Sequence, residues 1–412
     1  MSGIRQGFCF CRERTFRGGK DEEDFWIAPP PGSFLSTTHN RTTNKLYTTG
    51  SKFYDTVAYG QVSGSWEWTF VFDYEYIEPF LLALESAECT SYEDKAYADY
   101  TLTKSNNIRL PSFCIRRKIL NDMTGRGGQD EETILYGCVV KALRFSKTSG
   151  GSQINVTMTG FYAYEETVLG DLVSTDYMSY TGSLVEFSCM FISSIANSNY
   201  VAHTESLTIG VENSAGAVTP VCTPFASTYY EGQTSITFGT TCYSNDPERY
   251  KMRVYGGGER ATGETIENTG RTLYRPRSKG MKPIDKVLLA SYNGTADGFD
   301  DDVATVYGKS DRRICVILDD VVIKSLTWQK GDGSKLQDQI NSTECRTFTL
   351  EIRSGNTAGI ENIWGEANPH GIPGSGKVPE TPGTAGGSGS QDATDDTGSS
   401  DTAVDSGSSD AN

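Results

Sequence analysis

Histidine is scarce: His39, His203 and His370 are the only three in 412 residues. A catalytic triad or a histidine-built metal centre would have to draw on His39 and His203, and neither stands in a recognisable motif. No hydrophobic run reaches the length of a membrane-spanning helix, so no membrane insertion is expected. The opening Met1-Ser2-Gly3-Ile4-Arg5-Gln6 lacks the apolar core of a secretory leader, which gives the expectation of a cytoplasmic protein. A phosphate loop is missing too, since Gly256-Gly257-Gly258 is not followed by the Lys-Ser/Thr that grips a phosphate. Bases are in deficit, 37 against 53 acids, for a net charge of −16. Such a chain is not built to hold nucleic acid through its phosphates. Neither an enzyme nor a cofactor is expected.

Cysteine is not scarce, with ten present. Cys114, Cys138, Cys242, Cys315 and Cys345 fall in or beside expected strands, where a reduced cysteine acts as a small apolar residue. Cys9-Phe10-Cys11 has no second pair to complete a zinc site. Asp300-Asp301-Asp302 suits a hard cation or, equally, a solvated loop. Four Asn-X-Thr triplets, at Asn40, Asn155, Asn293 and Asn341, lack the secretory context that glycosylation needs.

What the chain does have is β-pattern. Leu135 to Lys147 is a β-rich run, and after Gly150-Gly151 the stretch Gln153 to Phe161 alternates strictly. Ile154, Val156 and Met158 take one face, and Asn155, Thr157 and Thr159 the other, as in a half-buried hairpin. The run recurs 183 residues on at Val321 to Lys330, where Val322, Lys324, Leu326 and Lys330 repeat Val139, Lys141, Leu143 and Lys147. A loop with Gly331-Asp332-Gly333 follows, and then a strand with Phe348, Leu350 and Ile352 against Thr347, Thr349 and Glu351. A second anchor is the aromatic strand Trp66, Trp68, Phe70 and Phe72. Shifted by 168, Gly64, Thr69, Phe70 and Pro79 meet Gly232, Thr237, Phe238 and Pro247. Glu78-Pro79 marks a helix start over Pro79 to Ser86, and Asp246-Pro247 marks a weaker one. The two offsets point to a tandem duplication of one β-rich unit with a net insertion in the second copy.

The expected organisation is an N-terminal arm over 1–32, unit 1 over 33–190, unit 2 over 191–355 and an acidic tail over 356–412. The arm mixes charges before Pro29-Pro30-Pro31-Gly32, and reads as a loose terminus or as a segment lying on a neighbouring subunit. Unit 2 carries the insertion, 256–310, whose first part is basic through Arg260, Arg271, Arg275, Arg277, Lys279 and Lys282. That stretch reads as a solvated loop or as a dock onto the next molecule. The Gly-, Ser- and Asp-rich tail cannot bury enough surface to fold.

Aromatic strand, Pro-started helix, strand, then Tyr136-Gly137-Cys138-Val139-Val140-Lys141-Ala142-Leu143-Arg144-Phe145-Ser146: this order resembles the tail tube proteins of long-tailed bacteriophages, over residues 42–353. The resemblance implies a mainly β chain of two sandwich- or barrel-forming units, each with a short helix. It also implies a structural virion protein that stacks as rings around a conduit for DNA, assembled in the host cytoplasm. Single-unit members form hexameric rings, so three copies of this chain would supply six units. The partners implied are further copies of itself and the tape measure, terminator and tip proteins of the tail, with DNA crossing the lumen without specific binding. On that view Asn155, Thr157, Thr159, Thr347, Thr349 and Glu351 line the lumen, where polar and acidic faces let phosphate slide. The same alternation also fits an ordinary solvent-facing sheet. Two other classes stay open: a tail adaptor or capsid decoration protein, and a monomeric β-sandwich that binds a surface.

Overall fold

Residues that alternate apolar and polar need a sheet with one covered face, and this chain supplies many of them. The computed structural model describes residues 5–20, 26–30, 32–46, 49, 53, 56–84, 86–92, 95–104, 109–120, 130–147, 153–170, 191–194, 204–221, 223–243, 264–266, 269, 271–273, 284–293, 312–330 and 336–355. The fold is mainly β. The first half holds β1 (Arg5–Arg12), β2 (Phe34–Leu46), β3 (Thr56–Val71), the helix α1 (Glu78–Leu81), β4 (Ser86–Ser91) and β5 (Ala98–Thr103). It continues with β6 (Phe113–Leu120), β7 (Asp130–Lys147), β8 (Asn155–Tyr162) and β9 (Tyr164–Gly170). The second half holds β10 (Phe191–Ser194), β11 (Thr204–Asn213), β12 (Gly216–Val218), β13 (Thr228–Tyr230), β14 (Thr234–Tyr243) and β15 (Glu264–Ile266). It ends with β16 (Arg271–Leu273), β17 (Ile284–Asn293), β18 (Arg312–Lys330), β19 (Leu336–Glu344) and β20 (Thr347–Ser354).

All strands but the hairpins β12–β13 and β15–β16 join one sheet, whose main path runs β2-β3-β8-β7-β11-β14-β19-β18-β20-β5-β4. Every pairing in it is antiparallel. The path has two ends, β2 and β4, so among the described residues no barrel closes within the chain. The long strands β7 and β18 each serve two neighbourhoods. The first part of β7 lies between β6 and β9 and the rest between β8 and β11. Likewise the first part of β18 lies between β17 and β20, and the rest pairs with β19.

The register repeats in detail. Val139 pairs with Phe161 and Val140 with Gly160, then a bulge at Lys141 precedes Ala142 and Thr159. At the offset of 183 read from the sequence, Val322 pairs with Glu344 and Ile323 with Thr343, and a bulge at Lys324 precedes Ser325 and Ser342. Left-handed backbone also recurs at that offset, at Gly137 (φ 64°) and Asp320 (φ 50°). It marks the point where each long strand passes from one set of neighbours to the other. A four-strand rung, Leu35-Trp68-Met158-Leu143, is matched by Leu207-Thr240-Ile340-Leu326. The aromatic strand therefore aligns with β14 at an offset of 172, four residues from the 168 that sequence similarity gives.

One core serves both halves. Trp66, Trp68, Phe70 and Phe72 are all buried, as their alternation demands. Phe8 meets Trp68 edge-on at 5.4 Å, and Phe80 on α1 stacks with Phe145 at 5.7 Å. Phe145 in turn stacks with Phe348 from the second half at 6.4 Å. Such ring pairs add about 0.5–1.5 kcal/mol beyond their burial. All described residues belong to one compact unit, Met1–Lys377, and one sheet runs through strands on both sides of the boundary expected near residue 190.

Four local expectations change. Residues 5–12 form a strand on β6 with Phe8, Cys9, Phe10 and Cys11 buried, where an arm is expected; alternation fails there because both faces are covered. The insertion 256–310 contains β17, paired along β18, so it is not a loop throughout. The hairpin partner of β18 is β19, and Thr347 to Glu351 lies on the following strand. The first helix is short, Glu78–Leu81, with Pro79 in its first turn; the helix expected after Pro247 falls outside the described residues.

Candidate assembly surface

The main sheet buries one face and offers the other. On β8, Val156, Met158 and Gly160 are buried, while Asn155 is exposed and Thr157 and Thr159 are half-buried on the opposite face. The register extends that face across the sheet. Thr69, Thr157, Arg144, Gly210 and Thr237 form one rung, and Glu67, Thr159, Ala142, Glu212 and Ser235 the next. Glu67, Glu212 and Arg144 are exposed, so the face is polar with both signs present rather than uniformly acidic. A Cβ added at Gly210 would meet Arg144 Cγ at 3.8 Å, so the arginine stem lies close beside that backbone.

Two junctions join the halves of the chain, and both are strand pairings. At the first, β7 pairs with β11 from Ala142↔Glu212 to Lys147↔Leu207. At the second, the hairpin β4–β5 continues the sheet beyond β20, from Thr349↔Thr103 to Ser354↔Ala98. Charge closes the second junction. Arg353 Nε donates to Asp99 at 2.7 Å, Arg313 stands 3.6 Å from the same carboxylate, and Arg312 Nε reaches Glu75 at 2.8 Å. Burial alone would raise the Asp99 carboxyl, but the hydrogen bond from Arg353 and the charge of Arg313 outweigh it and hold Asp99 below its ordinary value of 3.8.

The counterparts of these joined edges stand open. β2 pairs only with β3, and residues 322–330 of β18 pair only with β19, among the described residues. β9 pairs only with β7, and its Val168 and Leu169 are 62% and 61% exposed. Unpaired N–H and C=O groups along such edges are templates for another strand.

Other candidate chemistry stays local. His39 Nδ1 lies 2.9 Å from Glu165, which also accepts a hydrogen bond from the Tyr162 hydroxyl at 2.8 Å. His203 and His370 fall outside the described residues, as does Asp300-Asp301-Asp302. Among the described residues no group of three or more His, Cys, Asp or Glu could hold a metal ion, and no helix is long and apolar enough to cross a membrane. Cys9, Cys114 and Cys138 are buried with thiols pushed well up, Cys9 and Cys138 chiefly by burial and Cys114 first by its hydrogen bond with Cys11. Cys315 is buried too and Cys345 half-buried, while the side chain of Cys242 is outside the described set.

The six residues expected along a lumen lie on two strands that do not pair with each other. Asn155, Thr157 and Thr159 lie on β8, whereas Thr347, Thr349 and Glu351 lie half-buried on β20, and the Thr347 hydroxyl donates to Asp319. By register the counterpart of β8 is β19. Of the six basic residues, Arg271 begins β16, and Arg260, Arg275, Arg277, Lys279 and Lys282 fall outside the described residues. What sequence reasoning missed are the edges, which no residue type marks. No protein-family model matches this chain, and no curated protein matched it.

Proposed function

We propose that this chain is a tandem duplication of one β unit and that it self-assembles, three copies to a ring, into the stacked tube of a phage tail, a conduit for DNA. The observation that carries the reading is the junction between β7 and β11. It joins two runs of the same strand order, β2-β3-β8-β7 and β11-β14-β19-β18, and leaves at the far ends the counterparts of the strands it joins. A head-to-tail contact of this kind forms rings when its rotation closes. Ring closure pairs both open edges and removes their aggregation hazard. The mixed-charge Thr- and Ser-rich face suits a wall that passes a duplex without gripping it.

The reading specifies a register. Gly210↔Arg144 at the internal junction becomes Thr38↔Thr327 between chains, and both threonines are exposed. Directly opposed strand residues lie about 4.5–5.5 Å apart, within disulfide range. The variant carrying Thr38→Cys and Thr327→Cys, oxidised at high concentration, is expected to give covalent trimers, with tubes or stacked rings in negative-stain electron microscopy. Each single variant serves as control. A persistent monomer would sink the reading and favour a surface-binding β-sandwich, while single rings that never stack would favour a tail adaptor.

A further inference from the structure

The second junction has an unfilled counterpart as well. β9 stands to β7 as β20 stands to β18: Asp130↔Gly170 and Tyr136↔Tyr164 recur at an offset of 183 as Arg313↔Arg353 and Asp319↔Thr347. Equivalent positions nonetheless differ in exposure. Ile352 on β20 is 1% exposed beside the β4–β5 hairpin, while Leu169 at the same position of β9 is 61% exposed. The chain also holds a second hairpin in the matching place. β4–β5 lies between β3 and β6, and β15–β16 lies between their counterparts β14 and β17, pairing Glu264↔Leu273 to Ile266↔Arg271 as a two-stranded sheet of its own.

We infer that the outer edge of β9 binds the β15–β16 hairpin of a second copy of this chain, by the strand addition that β4–β5 makes to β20 within one chain. The partner is identified by internal correspondence and by charge. At the filled junction the hairpin contributes Asp99 and the receiving side Arg313 and Arg353. At the open one the receiving side is acidic, with Asp130 in place of Arg313 and Glu165 and Glu166 on β9; the hairpin begins β15 with Glu264 and β16 with Arg271, and the chain leaving it is basic in sequence through Arg275, Arg277, Lys279 and Lys282. Complementary charge of this kind selects the correct hairpin at each junction. Strand addition supplies backbone hydrogen bonds and covers Val168 and Leu169. The inference rests on the tandem-ring reading for its symmetry, but it concerns a separate edge.

The test places a photo-cross-linking residue on the open edge of the full-length chain, Val168→p-benzoylphenylalanine, with unlabelled and ¹⁵N-labelled protein mixed before assembly. Irradiation is expected to join residue 168 to a peptide containing residues 264–273 of the differently labelled chain. Amide exchange over residues 165–170 of the unmodified protein is expected to slow at least tenfold on assembly. Rings that form with no such cross-link and with unprotected β9 amides overturn this inference and leave the tube reading standing. The cross-link in an oligomer that never closes into rings upholds it and overturns the tube. A chain that stays monomeric at every concentration overturns both.

Discussion

Gly137 and Asp320 occupy equivalent breaks in the two long strands, yet only one is glycine. A side chain at Gly137 would suffer twice. Its φ of 64° disfavours any Cβ, and that Cβ would come within 2.9 Å of Phe16 and 3.0 Å of Ala163. Its N–H also donates to the buried Glu13 carboxylate at 3.1 Å, which fixes the bend. Gly137→Ala should therefore cost about 2 kcal/mol or more. Asp320 already carries the backbone penalty, offset by an exposed ion pair to Arg346 at 2.8 Å. Asp320→Gly should fall between neutral and about 1 kcal/mol stabilising. Urea unfolding of the two variants checks the asymmetry, and equal losses would contradict it. Asp99 gives a pH signature. Its folded pKa lies below the ordinary 3.8, so its stabilisation is complete well above that value and is lost as pH falls through 3.8 toward the folded pKa. In Asp99→Asn the urea midpoint should change less between pH 5 and pH 3 than in the parent.

At the scale of elements, the strands that alternate cleanly were legible and those that do not were missed. β8 and β20 present apolar residues at every second position, so period alone finds them. β19 reads Leu-Gln-Asp-Gln-Ile-Asn, too polar to signal a strand, and the eye passes over it to β20 as the partner of β18. β1 carries Phe8 and Phe10 between cysteines and arginines, and those charges disguise a strand buried on β6. The aromatic strand misled differently. The register counterpart of Phe70 in the second half is Cys242, so matching aromatic to aromatic draws the alignment four residues away, onto Phe238. An even shift preserves the buried face, which is why the repeated pattern survives it. The edges of β2, β9 and β18 had no sequence signal, because an edge is defined by the strand that is missing beside it.

For the whole molecule, the proposed ring would link stability to assembly. A chain alone leaves the edges of β2, β9 and residues 322–330 unpaired among its described residues. In the proposed ring the edge of β2 pairs with residues 322–330 of the next chain, which adds backbone hydrogen bonds worth about 0.5–1.5 kcal/mol each. Whatever binds the folded state but not the unfolded one raises the melting point by mass action, and in the proposed ring the ligand is the chain itself. The melting temperature should therefore climb with protein concentration across the range where rings form. The oxidised variant with Thr38→Cys and Thr327→Cys should lose most of that dependence, since its neighbours are tethered and their effective concentration no longer follows dilution. Differential scanning calorimetry over a hundredfold concentration range, with mass photometry alongside, separates the cases. A melting point that does not move while the mass distribution shifts from monomer to ring would show that the edges contribute nothing to folding, and the edge-closure account would fail with it.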